Sequence, residues 1–333
     1  MPIDRFSFLA PGNYAFDDPG TGLRETLALF RLGEELGYRG GWIRQRHLEA
    51  GVSSAATFLA AASQHTTRLE LGSAVIPIGY ENPFRLAEDL ATVDALSGGR
   101  LHVGLSAGRP PHFDLIAPLV FDGDPASVDL SHRRIERPVD LLRSRPLGAP
   151  IAVPGGTAVP RVQPHAAGLV DRLWYGVGSL RSADWAGRAG QNLLLSNVTS
   201  GEDTDRFFIA QNAQIDRYQA ALPPGRDKRI AVGRVVVPTD GADAARRERY
   251  SAYAASRHAR TLQPNGERRT LFAADLVGPA EAIVERLLAD PILARADELR
   301  LELPYEFRPE EYRQILEDVA FRVAPALGTW SRA

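Results

Sequence analysis

Residues 69–109, LELGSAVIPIGYENPFRLAEDLATVDALSGGRLHVGLSAGR, decide the fold. Leu69, Leu71, Val75 and Ile76 are apolar and β-prone, which makes the opening a strand. After Pro83 the apolar positions Leu86, Leu90, Val93 and Leu96 recur at helical spacing, with Glu88, Asp89 and Asp94 between them. Pro83 suits a first helical turn, where its missing N–H leaves nothing unpaired. Ser97-Gly98-Gly99 ends the helix, because glycine accepts the left-handed conformation of a C-cap. Leu101, Val103 and Leu105 begin another strand. Two strands joined by a helical crossover are expected to be parallel neighbours. Each ends in small residues, Gly72-Ser73-Ala74 and Ser106-Ala107-Gly108, which leave room for a flat group on the strand ends.

The alternation extends both ways. RFSFLA, with Phe6 and Phe8, reads as a first strand, followed by a Gly/Pro/Asp loop over 11–22. Residues 26–36 form an amphipathic helix ended by Gly37, and Gly41-Trp42-Ile43 opens a second strand that finishes near Arg46-His47. Ser53 or Ser54 caps an Ala-rich helix over 55–65. Residues 110–160 carry a weak pattern, with loop chemistry at Pro110-Pro111, Gly123-Asp124-Pro125 and Pro146-Leu147-Gly148 and a helix over 131–143. Strands follow at 171–177, 192–195, 230–237 (buried on both faces) and 299–303. Helices fall at 182–189, 205–221 (Phe208, Ile215 and Tyr218 inward), 243–260, 279–289 and 310–323. Eight strands alternating with helices give an α/β fold, a single (β/α)8 TIM barrel over 1–333 with an irregular insertion or lid region after strand four, at 110–160. A doubly wound sheet is the alternative, but no Gly-x-Gly-x-x-Gly follows an early strand.

Composition removes several functions. With 39 basic and 41 acidic residues, no like-charge block and a net charge of -2, a nucleic-acid or anionic-membrane partner is not expected. No apolar run spans a bilayer and MPIDRFSF has no signal-peptide pattern, so a cytoplasmic location is expected. The absence of cysteine excludes disulfides, thiolate nucleophiles and Cys-ligated metals. Schiff-base chemistry would rest on Lys228, which sits in a polar, exposed-looking segment. The seven histidines include no His-x-His or His-Glu-x-x-His, so no metal site is expected.

In a barrel the active site lies at the C-terminal strand ends. That rule selects Arg46 and His47, residues 74–78, Ser106 to Arg109, residues 176–182, Asn197 and Thr199, and Pro304 and Tyr305. His47 is placed for acid/base work, or for an ordinary structural hydrogen bond. Arg46 and Arg109 are equally compatible with solvated surface positions. Asp94 and Arg100 fall at the opposite end and read as structural. Tyr175-Gly176-Val177-Gly178-Ser179-Leu180-Arg181-Ser182 joins a strand to a helix. Its glycines, hydroxyls and helix N-terminus suit a phosphate, although a Gly/Ser turn capped by Ser182 has the same composition.

LGEELGYRGGWIRQRH, AVIPIGYENPFRLAEDLATVDALSGGRLHVGLSAG and YGVGSLRSADWAGRAGQNLLLS together resemble the bacterial luciferase-like flavin-dependent monooxygenases. The pieces LVGPAEAIVERLL, LRLEL and VAPAL resemble that family's last units. The resemblance implies a (β/α)8 barrel holding reduced FMN, or the deazaflavin F420, at the C-terminal strand ends. It places a non-proline cis peptide at Ala74-Val75 beneath the flavin ring, Ser106, Ala107 and Tyr175 near the ring, and the phosphate at Gly178, Ser179 and Ser182. It implies oxygenation of a small organic substrate by FMNH2 and O2 through a flavin C4a-hydroperoxide. A separate flavin reductase would supply the FMNH2, and the protein would be a homodimer contacting through the helices after strands two and three. Two positions depart from the family pattern. Gln45-Arg46-His47 stands where members often have Glu-His-His, so Arg46 replaces the histidine that serves luciferase chemistry. An arginine there suits an anionic substrate or a peroxide anion. Ala107 stands where luciferases place a phosphate-binding arginine, leaving Arg109 or Arg181 to compensate. An F420-dependent hydride-transfer enzyme and a non-catalytic flavin-binding relative remain the alternatives.

Overall fold

The structure, a computed structural model, describes residues 3, 5–166 and 168–328. Eight parallel strands close into a barrel: β1 (Arg5–Ala10), β2 (Gly40–Ile43), β3 (Glu70–Pro77), β4 (Leu101–Ser106), β5 (Leu173–Val177), β6 (Asn192–Leu195), β7 (Ile230–Arg234) and β8 (Glu298–Glu302). Between and around them run α1 (Pro19–Leu36), α2 (Ala55–Ser63), α3 (Pro83–Leu96), α4 (Phe113–Val120), α5 (Arg133–Leu142), α6 (Leu180–Arg188), α7 (Phe207–Ala221), α8 (Ala244–His258), α9 (Ala280–Leu288) and α10 (Pro309–Asp318). The β3–α3–β4 unit has the expected form. The Asn82 carboxamide oxygen accepts from Phe84 N and Arg85 N ahead of Pro83, and Gly98 and Gly99 leave the helix at φ 65° and 82°. The register between β3 and β4 shifts between Ser73 and Ile76, and the Ala74–Val75 peptide within that interval is cis.

The apolar residues divide into two layers. The larger lies between strands and helices and includes Phe6, Phe8, Leu71, Leu101 and Val103. The smaller fills the barrel interior with Leu9, Trp42, Trp174, Leu194 and Ala231. Alternate strand residues point to opposite faces, so β8 sends Leu299 and Leu301 outward and Glu298, Arg300 and Glu302 inward. The buried Arg300 guanidinium lies 3.7 Å from the Trp42 ring centroid and donates to Glu298. Below it, His102 Nδ1 accepts from Trp174 Nε1 and Arg229 Nη2, each at 3.1 Å, so its proton resides on Nε2, facing Glu70. Burial, reinforced by Arg229, drives the His102 pKa down to about 3.

The N-terminal barrel end is stapled rather than open. Glu34 accepts from the backbone N–H groups of Thr67, Arg68 and Leu69, Asp94 pairs with Arg172, and Arg100 donates to the carbonyls of Ser63, Thr66, Leu69 and Ser97.

Several sequence expectations change. α1 starts at Pro19, with Asp18 as its cap, so the last third of the expected 11–22 loop is helix. The seventh strand stops at Arg234; Val236–Pro238 leaves the barrel and pairs with Leu276–Gly278. Phe208 is 43% exposed, because the inward face of α7 is Ala210, Gln211, Gln214, Ile215 and Tyr218. Phe207 and Phe208 instead cover the Arg234 guanidinium, which is held by Asp290 and Gln211. The Lys228 side chain is only 8% exposed and lies 3.5 Å from Asp171. The 110–160 region contains α4, α5 and a small exposed hairpin at Ile151–Val153 and Gly156–Ala158. Pro118, inside α4, hides that helix in the sequence, whereas α5 falls within the expected helix over 131–143. α5 is anchored: the buried Arg134 donates to the carbonyls of Ile78 and Glu81.

Candidate active site

The C-terminal barrel end carries two adjoining features. The first lies over β3, β4 and β5. Gly104 has no room for a side chain, since a Cβ there would fall 2.4 Å from the Ser73 carbonyl oxygen. Ser106 and Ala107 are half-buried and small. Ala107 N donates to the Tyr175 hydroxyl, whose other partner is His132 Nε2 at 2.9 Å. His132 stacks on Trp185 with centroids 4.5 Å apart, so β4, β5, α5 and α6 meet in one aromatic wall. Burial pushes the Tyr175 phenol up to about 12, leaving it a neutral hydrogen-bonding group at ordinary pH.

The N-terminus of α6 borders this floor. Ser179 and Ser182 form a reciprocal capping box, and Gly178 N and Ser179 N also donate to Ser182 Oγ. Leu180 N donates to the Glu202 carboxylate at 2.7 Å. The helix end therefore already holds an anion, supplied by the chain itself. A phosphate suits the same N–H group and dipole, and would take over the place of the Glu202 carboxylate. Arg109 is committed elsewhere, pairing with Asp114 and covering the Phe113 ring. Arg181 is exposed beside the helix start.

The second feature is a cavity of about 190 Å³ between the ends of β2 and β3, lined by Arg44, Gln45, Arg46, His47, Val75 and Tyr80. Arg46 is half-buried rather than a free surface arginine. Its Nη2 donates to the Tyr305 hydroxyl at 2.5 Å and its Nη1 reaches Glu49 at 3.4 Å. Burial weakens its charge, but Tyr305 and Glu49 outweigh that and raise its pKa. Arg44 and Arg46 both lie about 5 Å from the Tyr305 ring centroid, at 5.0 and 5.1 Å. Glu302 fixes this corner from inside the barrel, accepting from Arg44 Nη2 at 2.8 Å and from Asn197 N at 3.1 Å. Gly233 makes room for it, since a Cβ there would meet Glu302 Oε1 at 2.1 Å. His47 packs on Tyr80 with centroids 4.4 Å apart, and burial lowers its pKa below the usual histidine value.

Of the residues singled out from sequence, the fold brings Arg46, His47, Ala74 and Val75 together in the cavity wall, and gathers Ser106, Ala107, Tyr175, Gly178, Ser179 and Ser182 on the neighbouring strand ends. Asn197 contributes a backbone N–H, and Thr199 is a buried partner of Gln214. Sequence reasoning missed Arg44, Glu81, His132, Trp185, Glu202 and Glu302. Arg44 and Glu302 sit at strand ends, where the barrel rule was able to find them; the others depend on long-range contacts. Among the described residues no group of three or more His, Asp or Glu is placed to hold a metal, and no helix is long and apolar enough to cross a membrane.

The family model described as luciferase-like monooxygenase matches residues 3–296. The 4-hydroxyprotoasukamycin monooxygenase of Streptomyces nodosus subsp. asukaensis is 35% identical over 134 residues, covering 38% of this chain and 36% of the relative. The chain thus spans about a third of the length of that relative. Monooxygenase RslO1 of Streptomyces bottropensis superposes with a TM-score of 0.72 at 20% identity, covering 96% of this chain and 99% of that one. The oxygenating constituent of the 3,6-diketocamphane monooxygenase of Pseudomonas putida, in complex with FMN, superposes at 0.68 with 16% identity, covering 98% and 99%. An F420-dependent secondary alcohol dehydrogenase holding an F420-acetone adduct superposes at 0.62 with 16% identity, covering 98% and 99%. At these identities the structural matches establish the fold alone.

Proposed function

The chain belongs to the luciferase-like monooxygenase family, and on that premise we propose that it oxygenates a small organic substrate using reduced FMN delivered by a separate flavin reductase. The observation that carries the cofactor reading is the pairing of an open floor with an anion-holding helix end. Ser106 and Ala107 leave space on β4, and on the adjacent β5 the start of α6 holds a carboxylate on Leu180 N. Reduced FMN with O2 would supply the oxidising equivalents there. In this reading Ala74, Val75, Ser106 and Ala107 bear the ring, Tyr175 holds Ala107 N in place, and Gly178, Ser179 and Ser182 shape the phosphate end. The cavity beside Arg46 and His47 takes the substrate. Arg44, Arg46 and Tyr305 form its wall, fixed by Glu302. The 110–160 segment closes over the site, excluding water and orienting the substrate. The chain is read as a single barrel domain that pairs as a homodimer, with the half-exposed Phe84 and Leu96 of α3 available for contact.

Titration of the purified protein with FMN, FMNH2 and reduced F420, followed by flavin absorbance and fluorescence quenching, tests the reading. Saturable FMNH2 binding stronger than reduced F420 binding, with O2 uptake when a reductase is added, is the expected outcome. Preference for reduced F420 transfers the reading to hydride transfer without O2. Absence of binding to every form removes the flavin reading.

A further inference from the structure

One hydrogen-bond chain behind the substrate cavity fixes the chemistry of its face. Gln45 is buried, and its Oε1 accepts from the backbone N–H of Ala55 at 3.0 Å. A backbone N–H only donates, so the carboxamide orientation is determined: the NH2 group points the other way. Its two hydrogens go to Glu81 Oε1 at 2.7 Å and to His47 Nε2 at 3.1 Å. His47 Nε2 must therefore present a lone pair, and the imidazole proton belongs on Nδ1. Among the described residues no protein group hydrogen-bonds Nδ1, so that N–H is left for an occupant of the cavity. The Tyr80 hydroxyl, in the same wall and against the His47 ring, is buried with no partner. The carboxylates on and behind the wall are already engaged. Glu81 takes the Gln45 amide, Glu302 takes Arg44, and Glu49, at the exposed mouth, faces Arg46 and His112.

We propose that Gln45 is a positioning residue that locks His47 as a hydrogen-bond donor, and that His47 Nδ1–H, Tyr80 O–H and the Arg46 guanidinium make the cavity a receptor for a substrate bearing an oxygen acceptor, a carboxylate, phenolate or carbonyl. The inference rests on reading this cavity as the substrate site. His47 then holds and orients the substrate oxygen; its Nε2 does not serve as a base, because its lone pair is used inward. The charges around the ring offset one another, Arg46 opposing an imidazolium and the Glu49 and Glu81 carboxylates favouring one, and burial decides for the neutral form. Arg46 and Glu49 flank it on its own segment, Tyr80 and Glu81 approach from the segment after β3, Tyr305 stands behind Arg46, and His112 lies beside Glu49.

The test uses the whole purified chain without flavin, so its outcome is read independently of flavin binding. In protein labelled with ¹⁵N-histidine, two-bond ¹H–¹⁵N spectra report the tautomer of each ring, with His47→Asn giving the assignment. His47 is expected as the Nδ1–H form, the opposite of the form free imidazoles favour in water, and to titrate below the ordinary histidine range. In Gln45→Glu the carboxylate at that place draws the proton to Nε2 and the titration midpoint rises. An Nε2–H His47 in the wild type, or a spectrum unchanged by Gln45→Glu, overturns the positioning role. Wild-type protein alone decides the tautomer if the variant does not fold. For the substrate class, benzoate and benzylamine are compared as probes, a cavity near this size being able to take one aromatic ring. Benzoate should shift the His47 resonances saturably and benzylamine should not, and Tyr80→Phe should weaken benzoate by about five- to ten-fold. Equal response to both probes, response to neither, or indifference to Tyr80→Phe overturns the acceptor-binding assignment.

Discussion

Glu202→Gln separates the phosphate end of the proposed flavin site from its ring end. In the unloaded protein the Glu202 carboxylate occupies Leu180 N at 2.7 Å, at the start of α6. A flavin phosphate bound to that N–H must first displace it. A carboxylate at an exposed helix N-terminus is worth about 0.3–1 kcal/mol. Glutamine keeps an oxygen acceptor but loses the charge, so most of that competing energy disappears. At about 1.4 kcal/mol per tenfold, FMN binding should tighten by about two- to five-fold. Riboflavin lacks the phosphate and need not displace Glu202, so its affinity should stay the same. Without flavin, the variant should melt about 0.5–1.5 °C lower, because the same interaction stabilises the free protein. Parallel fluorescence-quenching titrations with FMN and riboflavin at low salt give the answer. Equal changes for the two ligands, or weaker FMN binding in the variant, would refute the placement of the phosphate at α6.

His102 makes stability pH-dependent. Its folded pKa is about 3 against an ordinary 6.5, so between those values the unfolded chain binds more protons. Stability from this group is full above the unfolded value and is lost as pH falls from 6.5 towards 3. Urea denaturation at about pH 7.5 and about pH 4.5 should show the wild type losing up to about 2–3 kcal/mol more than His102→Gln. Gly104→Ala should cost about 1–3 kcal/mol in the same assay, because the added methyl meets the Ser73 carbonyl at 2.4 Å and Leu194 Cδ1 at 2.8 Å. A variant as stable as wild type would show that β3 and β4 tolerate separation at the proposed ring floor.

The barrel was legible because its signals are local. Helical spacing at Leu86, Leu90 and Val93, a capped start at Asn82-Pro83 and a glycine stop at Gly98-Gly99 lie within one short segment. Where local chemistry misled, tertiary contacts had overruled it. Pro118 sits inside a helix whose Phe113, Ile116 and Ala117 are buried, and Phe208 reads as core but covers Arg234 from outside. Strand ends are also legible, so Arg46, His47, Ser106 and the α6 start stand out from the sequence alone.

The sequence by itself determined the βα alternation and the family likeness, and it pointed to the barrel end proposed for the site, since periodicity, caps and motif order need no distant partner. It did not determine what each polar side chain does there. Only the tertiary structure brought Glu302 to Arg44 across 258 positions, Glu202 onto Leu180 N, and the Ala55 N–H onto Gln45. Barrel closure causes the first of these: it places strand ends far apart in the chain side by side in a low-dielectric interior. Each buried donor or acceptor there must find whichever partner the neighbouring strand supplies. The protonation of His47 is therefore set by a backbone amide it never touches.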